Sequence, residues 1–350
     1  MNHPTKPFRD VYLASAGYYL PPGKLTNPEL VLRGCAPSEG WIIEKTGIRE
    51  RRIAAKSQAM SDMIIPAACS AMHDALASPG DIDAVLVAGD MHDSGGVSLT
   101  SARVAEAIGI PNALCEDLRV GCPASVLGLH AGISAVGSGM ASKVLVCAGE
   151  INTRTLNPCD KSSVFFGDGG AAFVLSAEPA LAVFEVSFCA ASGQNASILE
   201  VPAGGSREPI TVEGLAAGRN LLRMDGHAVW EFGTTKFVEV ASLLAQSAAV
   251  CLDEIDWFVP HQANLRLIEN AATKLGIPLS KVVINLDRIG NTAGPSAMIA
   301  FAQFIKSGFV QAGHIAMILG FGGGLAWGGQ IVRFLYPVSE NAIKPDNSSV

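Results

Sequence analysis

Asp117-Leu-Arg-Val-Gly-Cys122-Pro-Ala-Ser-Val-Leu-Gly-Leu-His130 is the stretch around which the chain is organised. A short apolar run ends at Gly121, one cysteine follows, and Pro123 opens a segment rich in Ala, Gly and Ser. That segment, Ala124 to Gly139, holds no Asp, Glu, Lys or Arg. Such a pattern predicts a helix buried on nearly all sides, with Pro123 at its first position, where a missing N–H costs nothing. Cys122 then lies at the turn between strand and helix, where unpaired N–H groups and the helix dipole favour a thiolate. The competing reading is a small, inert, buried side chain, which is what most free cysteines are.

Working outward, the same α/β alternation continues on both sides. Val11 to Tyr18 reads as a strand before a Pro-Pro-Gly turn, Ser61 to Ala77 has helical spacing, and Ile82 to Ala88 is a continuous apolar strand. A helix near Leu99 to Ile108, a strand near Leu114 to Val120 and another over Lys143 to Ala148 complete the first half. Continuous apolar strands separated by helices imply a sheet covered on both faces.

The second half repeats the first. Asp81-Ile-Asp-Ala-Val-Leu-Val is echoed by Glu254-Ile-Asp-Trp-Phe-Val, and Ala107-Ile-Gly-Ile-Pro by Lys274-Leu-Gly-Ile-Pro. Leu118-Arg-Val-Gly-Cys122 is echoed by Asp287-Arg-Ile-Gly-Asn291, and Ser138-Gly139 by Ser307-Gly308. Four echoes in the same order indicate duplication: two pseudo-symmetric halves with a site where equivalent loops meet. We place the halves at 1–183 and 184–338, with a flexible polar tail at 339–350. Cys122 and Asn291 then occupy matching loops.

Composition narrows the class. Hydrophobic residues make up 49% of the 350 and charged ones 16%, enough for a large core. A net charge of −7 argues against a general nucleic-acid binder and against an anionic membrane surface as partner. No apolar run approaches the ~20 residues of a membrane span. Met1 to Arg9 has no hydrophobic signal region, so cytoplasmic residence is expected. Eight cysteines without Cys-x-x-Cys spacing imply neither a disulfide framework nor a zinc site. Cys69 and Cys147, inside apolar segments, are expected in the core.

Two further stretches hold reactive groups. In Asp256-Trp-Phe-Val-Pro-His261-Gln-Ala-Asn264-Leu-Arg266 a strand ends at Pro260, and His261 stands just past it. Strand ends of this kind gather reactive groups in α/β sheets. A lone histidine there is more often structural, but the repeat register sets this one beside the Cys122 loop. In Gly290-Asn-Thr-Ala-Gly-Pro-Ser296, Asn291 precedes the second apolar helix, where its bland reading is an N-cap. Gly320-Phe-Gly-Gly-Gly324 follows the strand Ile315 to Leu319 and is either a tight turn or a source of inward-facing N–H groups. It is not a dinucleotide fingerprint, since no helix with a following acidic residue opens after it.

Together, Glu39-Gly-Trp-Ile-Ile-Glu-Lys-Thr-Gly-Ile-Arg49, Phe166-Gly-Asp-Gly, His261-Gln-Ala-Asn-Leu-Arg266, Gly290-Asn-Thr and Gly320-Phe-Gly-Gly-Gly resemble β-ketoacyl-acyl-carrier-protein synthase III, a thiolase-like condensing enzyme family. The likeness runs from about Val11 to Phe334. It implies a thiolase-like fold and a Cys122–His261–Asn291 triad, with an oxyanion held by the N–H groups of Cys122 and Gly324. It further implies that an acyl-CoA acylates Cys122 and that a malonyl thioester, on acyl carrier protein or CoA, is decarboxylated and condensed. No metal or redox cofactor is expected. For the CoA and pantetheine arm it points to Trp41, Lys45, Lys161, Gly226, Trp230, Asn264 and Arg266. A homodimer is expected as well.

The chain also departs from the family pattern. Lys45 and Lys161 stand where arginines are usual, so point charges replace planar forks. Glu231 replaces a lysine that commonly helps dock carrier protein. Val97 aligns with a bulky phenylalanine that closes the acyl pocket from the partner subunit, and Pro123-Ala-Ser125 replaces Ala-Gly-Phe after the nucleophile. Val97 and Ser125 therefore point to an acyl pocket roomier than acetyl needs. A biosynthetic thiolase would carry a second cysteine in the last glycine loop, which Phe321 and its neighbours lack. A non-decarboxylating acyltransferase acting on an alcohol or amine is the alternative that uses the same Cys122 and His261.

Overall fold

The protein, described here by a computed structural model over residues 8–338, folds as two mirrored α/β wings. In the first, β1 (Tyr12–Tyr19) leads through β2 (Gly23–Thr26), α1 (Asn27–Leu32), α2 (Glu39–Thr46) and β3 (Glu50–Ile53) to α3 (Met60–Asp74). Then come β4 (Ala84–Gly89), α4 (Thr100–Ala107), β5 (Leu114–Arg119), α5 (Ala124–Gly137), β6 (Lys143–Ile151) and β7 (Asp168–Ser176). The second wing opens with β8 (Ala182–Ala191), β9 (Leu199–Glu200), α6 (Val212–Ala216), β10 (Arg223–Met224) and the long α7 (Gly226–Ala248). It closes with β11 (Trp257–Pro260), α8 (Leu265–Leu275), α9 (Leu286–Ile289), α10 (Ser296–Lys306), β12 (Ile315–Gly322) and β13 (Ala326–Phe334).

The nine main strands form one sheet in the order β11-β12-β13-β8-β1-β7-β6-β4-β5. From the β8–β1 junction the order and direction match on both sides. β6 is antiparallel to β7 and parallel to β4, as β12 is antiparallel to β13 and parallel to β11. The repeat is thus a repeat of topology. β4, β7 and β12 are buried along their whole length, as expected of strands covered on both faces.

Three apolar clusters define the layers. α5 and α10 meet in the middle, with Val126, Leu129 and Ile133 of one and Met298, Phe301 and Ile305 of the other packed among residues of both wings. α3 and α4 cover the outer face of the first wing, and α7 and α8 that of the second. Layers of helix, sheet, paired helices, sheet and helix result. Burial of α5 explains its lack of charge, since an unpaired buried charge costs several kcal/mol, and the one charge of α10, Lys306, stands at its end and pairs with Asp74 at 2.9 Å. Among the described residues no helix is long and apolar enough to cross a membrane.

Four local expectations need correction. Pro123 is the residue before the helix, which starts at Ala124. The boundary at 183/184 falls inside β8, whose pairing with β13 is continuous there; the connection between the wings is at 177–181. Cys147 is buried, but Cys69 is exposed, because Ala67, Ala68 and Ala71 take the inward stripe of α3. The echo of Leu118–Cys122 at Asp287–Asn291 is a short helix, α9, and the strand equivalent to β5 shrinks to one bridge, Phe258 with Val282. The Asp287 carbonyl is used instead by the N–H of Arg49, at 2.8 Å. The expected tail at 339–350 lies outside the described residues.

Candidate active site

Cys122 sits between the end of β5 and the start of α5, against the glycine loop of β12. A Cβ on Gly322 would lie 2.3 Å from the Cys122 Cβ, and Gly322 holds φ +156°. Only glycine lets that backbone come so close. The N–H groups of Gly323 and of Cys122 itself lie against the sulfur and favour its negative form. The three consecutive glycines look alike in sequence; the strand's trajectory past Cys122 separates them.

The expected resting thiolate is overturned. Burial first, and then the nearby Glu150 carboxyl, push the Cys122 thiol up to about 12, and the two N–H groups offset only part of this. Desolvation of a charged sulfur outweighs the helix start. Cys122 rests as a thiol and loses its proton as it attacks.

His261 follows β11, and its N–H donates to the Leu319 carbonyl at 2.7 Å, which sets the ring beside β12. The ring is buried edge-on to Phe321, with centroids 5.4 Å apart. Its Nδ1 lies 2.5 Å from the Ser296 Oγ, and that oxygen also accepts the Gln262 N–H at 3.2 Å. With one lone pair taken by Gln262 and no other acceptor in reach, the Ser296 hydroxyl donates to Nδ1. The network therefore assigns the proton of His261 to Nε2. Burial holds the imidazole down to about 3, so it is neutral at any ordinary pH. Ser296 closed a quoted motif but had no role read for it; a hydroxyl at the start of the second central helix was the available signal.

Asn291 is buried beside α10. Its N–H donates to the Phe165 carbonyl at 2.8 Å, and its own carbonyl accepts from the Gly167 N–H at 2.9 Å. Its side-chain Oδ1 accepts the Ala293 N–H at 2.8 Å, which fixes the amide orientation and leaves Nδ2 as a donor. The N-cap reading fails here, because α10 begins five residues later.

Glu150 went unread in the sequence, although it is an acid at the end of the otherwise apolar run Lys143–Ile151. It is buried behind Cys122 and accepts the N–H groups of Asp90 and Met91 at 3.1–3.2 Å. Burial, reinforced by Asp90, pushes its carboxyl up to about 8. Ser125, read for the acyl pocket, is held between the central helices. It is 1% exposed, and its Oγ donates to the Gly294 carbonyl at 2.5 Å while accepting the Met298 N–H at 3.3 Å. It joins the two central helices.

The residues read for the CoA arm fall on neighbouring helices. Trp41 and Lys45 lie on α2, Asn264 caps α8, and the Nε of Arg266 donates to the Glu44 carbonyl at 2.7 Å, tying α8 to α2. Asn264 Oδ1 accepts the Arg266 N–H, and Arg266 also pairs with Glu269 at 2.8 Å. Lys45 pairs with Glu44 at 2.9 Å. Gly226 and Trp230 lie in the first turns of α7, and Lys161 opens a short turn after Asp160. Val97 is fully exposed, with φ +62°, on the loop between β4 and α4.

Two half-folds packed on a central helix pair, with reactive groups at the paired helix starts, define the thiolase-like condensing enzymes. Models of the 3-oxoacyl-[acyl-carrier-protein] synthase III family match residues 116–192 and, for its C-terminal part, 245–334. The chain is 33% identical over 330 residues to the β-ketoacyl-[acyl-carrier-protein] synthase III of Fusobacterium nucleatum subsp. nucleatum, covering 94% of this chain and 100% of that one. It is similar to the 3-oxoacyl-(acyl carrier protein) synthase III structure from Pseudomonas aeruginosa PAO1, with TM-score 0.86, 29% identity, 94% of this chain and 100% of that one. The priming β-ketosynthase of the R1128 polyketide pathway matches with TM-score 0.85 at 29% identity, over 97% and 99%. This chain belongs to the β-ketoacyl-[acyl-carrier-protein] synthase III family.

Proposed function

We propose that the protein transfers an acyl group from CoA to Cys122 and then condenses it with a malonyl thioester, releasing CO₂. In the first step the Cys122 sulfur attacks the thioester carbonyl, and its proton passes to the departing CoA sulfur. The N–H groups of Cys122 and Gly323 receive the charge that develops on the carbonyl oxygen, an effect typically worth about 3 kcal/mol.

In the second step the malonyl carboxylate leaves as CO₂, and its bonding electrons move into the thioester as an enolate. His261 Nε2–H and Asn291 Nδ2–H both offer hydrogen bonds to the enolate oxygen. A neutral imidazole stabilises that oxygen without protonating the carbon, which a cationic one would do. The enolate carbon attacks the acyl-Cys122 carbonyl, the β-ketoacyl thioester forms, and the sulfur leaves and takes up a proton.

The observation that carries this reading is the orientation of both donors, His261 by Ser296 and Asn291 by Ala293. Release of labelled CO₂ from a malonyl thioester, dependent on prior acylation of Cys122, tests it. Acyl transfer to an alcohol or amine with no CO₂ would overturn it.

We further propose a homodimer in which Val97 of each copy closes the acyl pocket of the other, and a primer larger than acetyl. Exposure of the Val97 loop tip supports this, and the small side chain leaves room where the family has phenylalanine. Ser125 does not contribute to that argument. Mass spectrometry of Cys122 after incubation with mixed acetyl-, butyryl- and octanoyl-CoA reads the preference directly.

A further inference from the structure

Arg51 is the one fully buried arginine among the described residues, and no carboxylate meets it. Its Nη1 donates to Asn27 Oδ1 at 2.6 Å, while Nε, at 3.0 Å, and Nη2 both donate to the Val164 carbonyl. A cation stripped of water and held only by neutral acceptors is costly, so its retention calls for a reason beyond packing. The neighbouring contacts supply one.

The residue after Val164 is Phe165, whose carbonyl receives the Asn291 N–H. Two residues further on, the Gly167 N–H donates to the Asn291 carbonyl, so Phe166 and Asn291 form a one-residue parallel bridge. On the other side, the Arg51 stem lies directly beneath Gly290, where a Cβ would come within 2.8 Å of the Arg51 Cγ. Gly290 holds φ +74°, the turn that aims Asn291 inward. The guanidinium fork thus clamps the segment to which Asn291 is bonded, and the stem supports the residue before it.

We propose that Arg51 is a positioning residue for Asn291: through the Val164–Gly167 segment and Gly290 it sets the place of the enolate-facing amide. This rests on the decarboxylating function proposed above. It makes Arg51 matter to one half-reaction and not to the other, since Cys122, just before α5, takes no hydrogen bond from this clamp.

Arg51→Lys keeps the charge but loses the two-nitrogen grip on one carbonyl. With the full chain, acylation of Cys122 by acyl-CoA should stay within about twofold of the parent, while CO₂ release should fall by roughly 10–100-fold, the cost of a small misplacement. In a double-mutant cycle, Arg51→Lys added to Asn291→Ala should cost nothing beyond Asn291→Ala alone. Equal losses in both half-reactions, additive losses in the cycle, or no loss at all would overturn the proposal. Arg51→Ala with added guanidinium is the second variant; recovery of CO₂ release on filling the vacated space is expected. Should Asn291→Ala by itself leave CO₂ release intact, the proposed function fails at Asn291. The clamp is then judged by the Asn291 side-chain amide resonance, which must move in Arg51→Lys.

Discussion

The Ser125 hydroxyl donates to the Gly294 carbonyl at 2.5 Å, and these two residues are separated by 169 positions, the interval that also separates Cys122 from Asn291. Residues made equivalent by the internal repeat therefore touch across the pseudo-twofold axis. That contact joins the starts of α5 and α10 and so fixes the distance between the nucleophile and the amide. Ser125→Ala should lower stability by about 1–2 kcal/mol, the cost of a lost buried hydrogen bond. The preference among acyl-CoA chain lengths should not change. Thermal unfolding and competition acylation check the two halves of this expectation.

His261→Ala and Asn291→Ala should each reduce CO₂ release by on the order of 100-fold, as expected for loss of one preorganised donor. Acyl-enzyme should still form on Cys122 in both. Intact-mass measurement after single-turnover mixing with acyl-CoA separates the steps, and loss of acylation in either variant would contradict the assignment of roles.

Glu150 makes the site's electrostatics depend on pH. Its carboxyl, raised to about 8, binds a proton in the folded state over a range where the unfolded chain has released it. Stability from this group is full below its ordinary carboxylate range and declines as pH rises towards about 8. His261 acts in the opposite direction: its depressed value means that the unfolded chain binds the extra proton as pH falls from its ordinary range towards about 3. Glu150→Gln should remove the alkaline decline and leave the acid one, as read by thermal midpoints from pH 5 to 9.

The same carboxylate repels a Cys122 thiolate once it ionises. Alkylation of Cys122 by iodoacetamide should therefore run equally in parent and Glu150→Gln at pH 6 and faster in the variant above about pH 8. Identical profiles would show that Glu150 does not reach the sulfur.

Val97→Phe should shift selectivity towards acetyl-CoA by at least about tenfold against octanoyl-CoA, since a filled hydrophobic slot discriminates by roughly 1–3 kcal/mol. Ratios of acylation rates for the two acyl-CoAs check this.

Much of this was legible before any coordinate. The apolar, charge-free segment Ala124–Gly139 announced the first central helix, and the ordered echoes announced its counterpart and a duplicated sheet. Cys122 stood out by its place before an apolar helix, and His261 and Asn291 by the repeat register together with the family resemblance. By contrast, Cys69 was misread, since composition tells that a segment is buried but not which way one side chain turns.

The sequence alone thus determined the fold class and the pairing of the halves, because periodicity and internal repetition are properties of the chain, while resemblance to a known family singled out Cys122, His261 and Asn291. Only tertiary structure decided that Gly323 faces the sulfur, that Ser296 sets the His261 proton, that Cys122 rests as a thiol and that Arg51 stands behind Asn291. Those outcomes depend on desolvation and on contacts between residues more than thirty positions apart, and no local pattern encodes either.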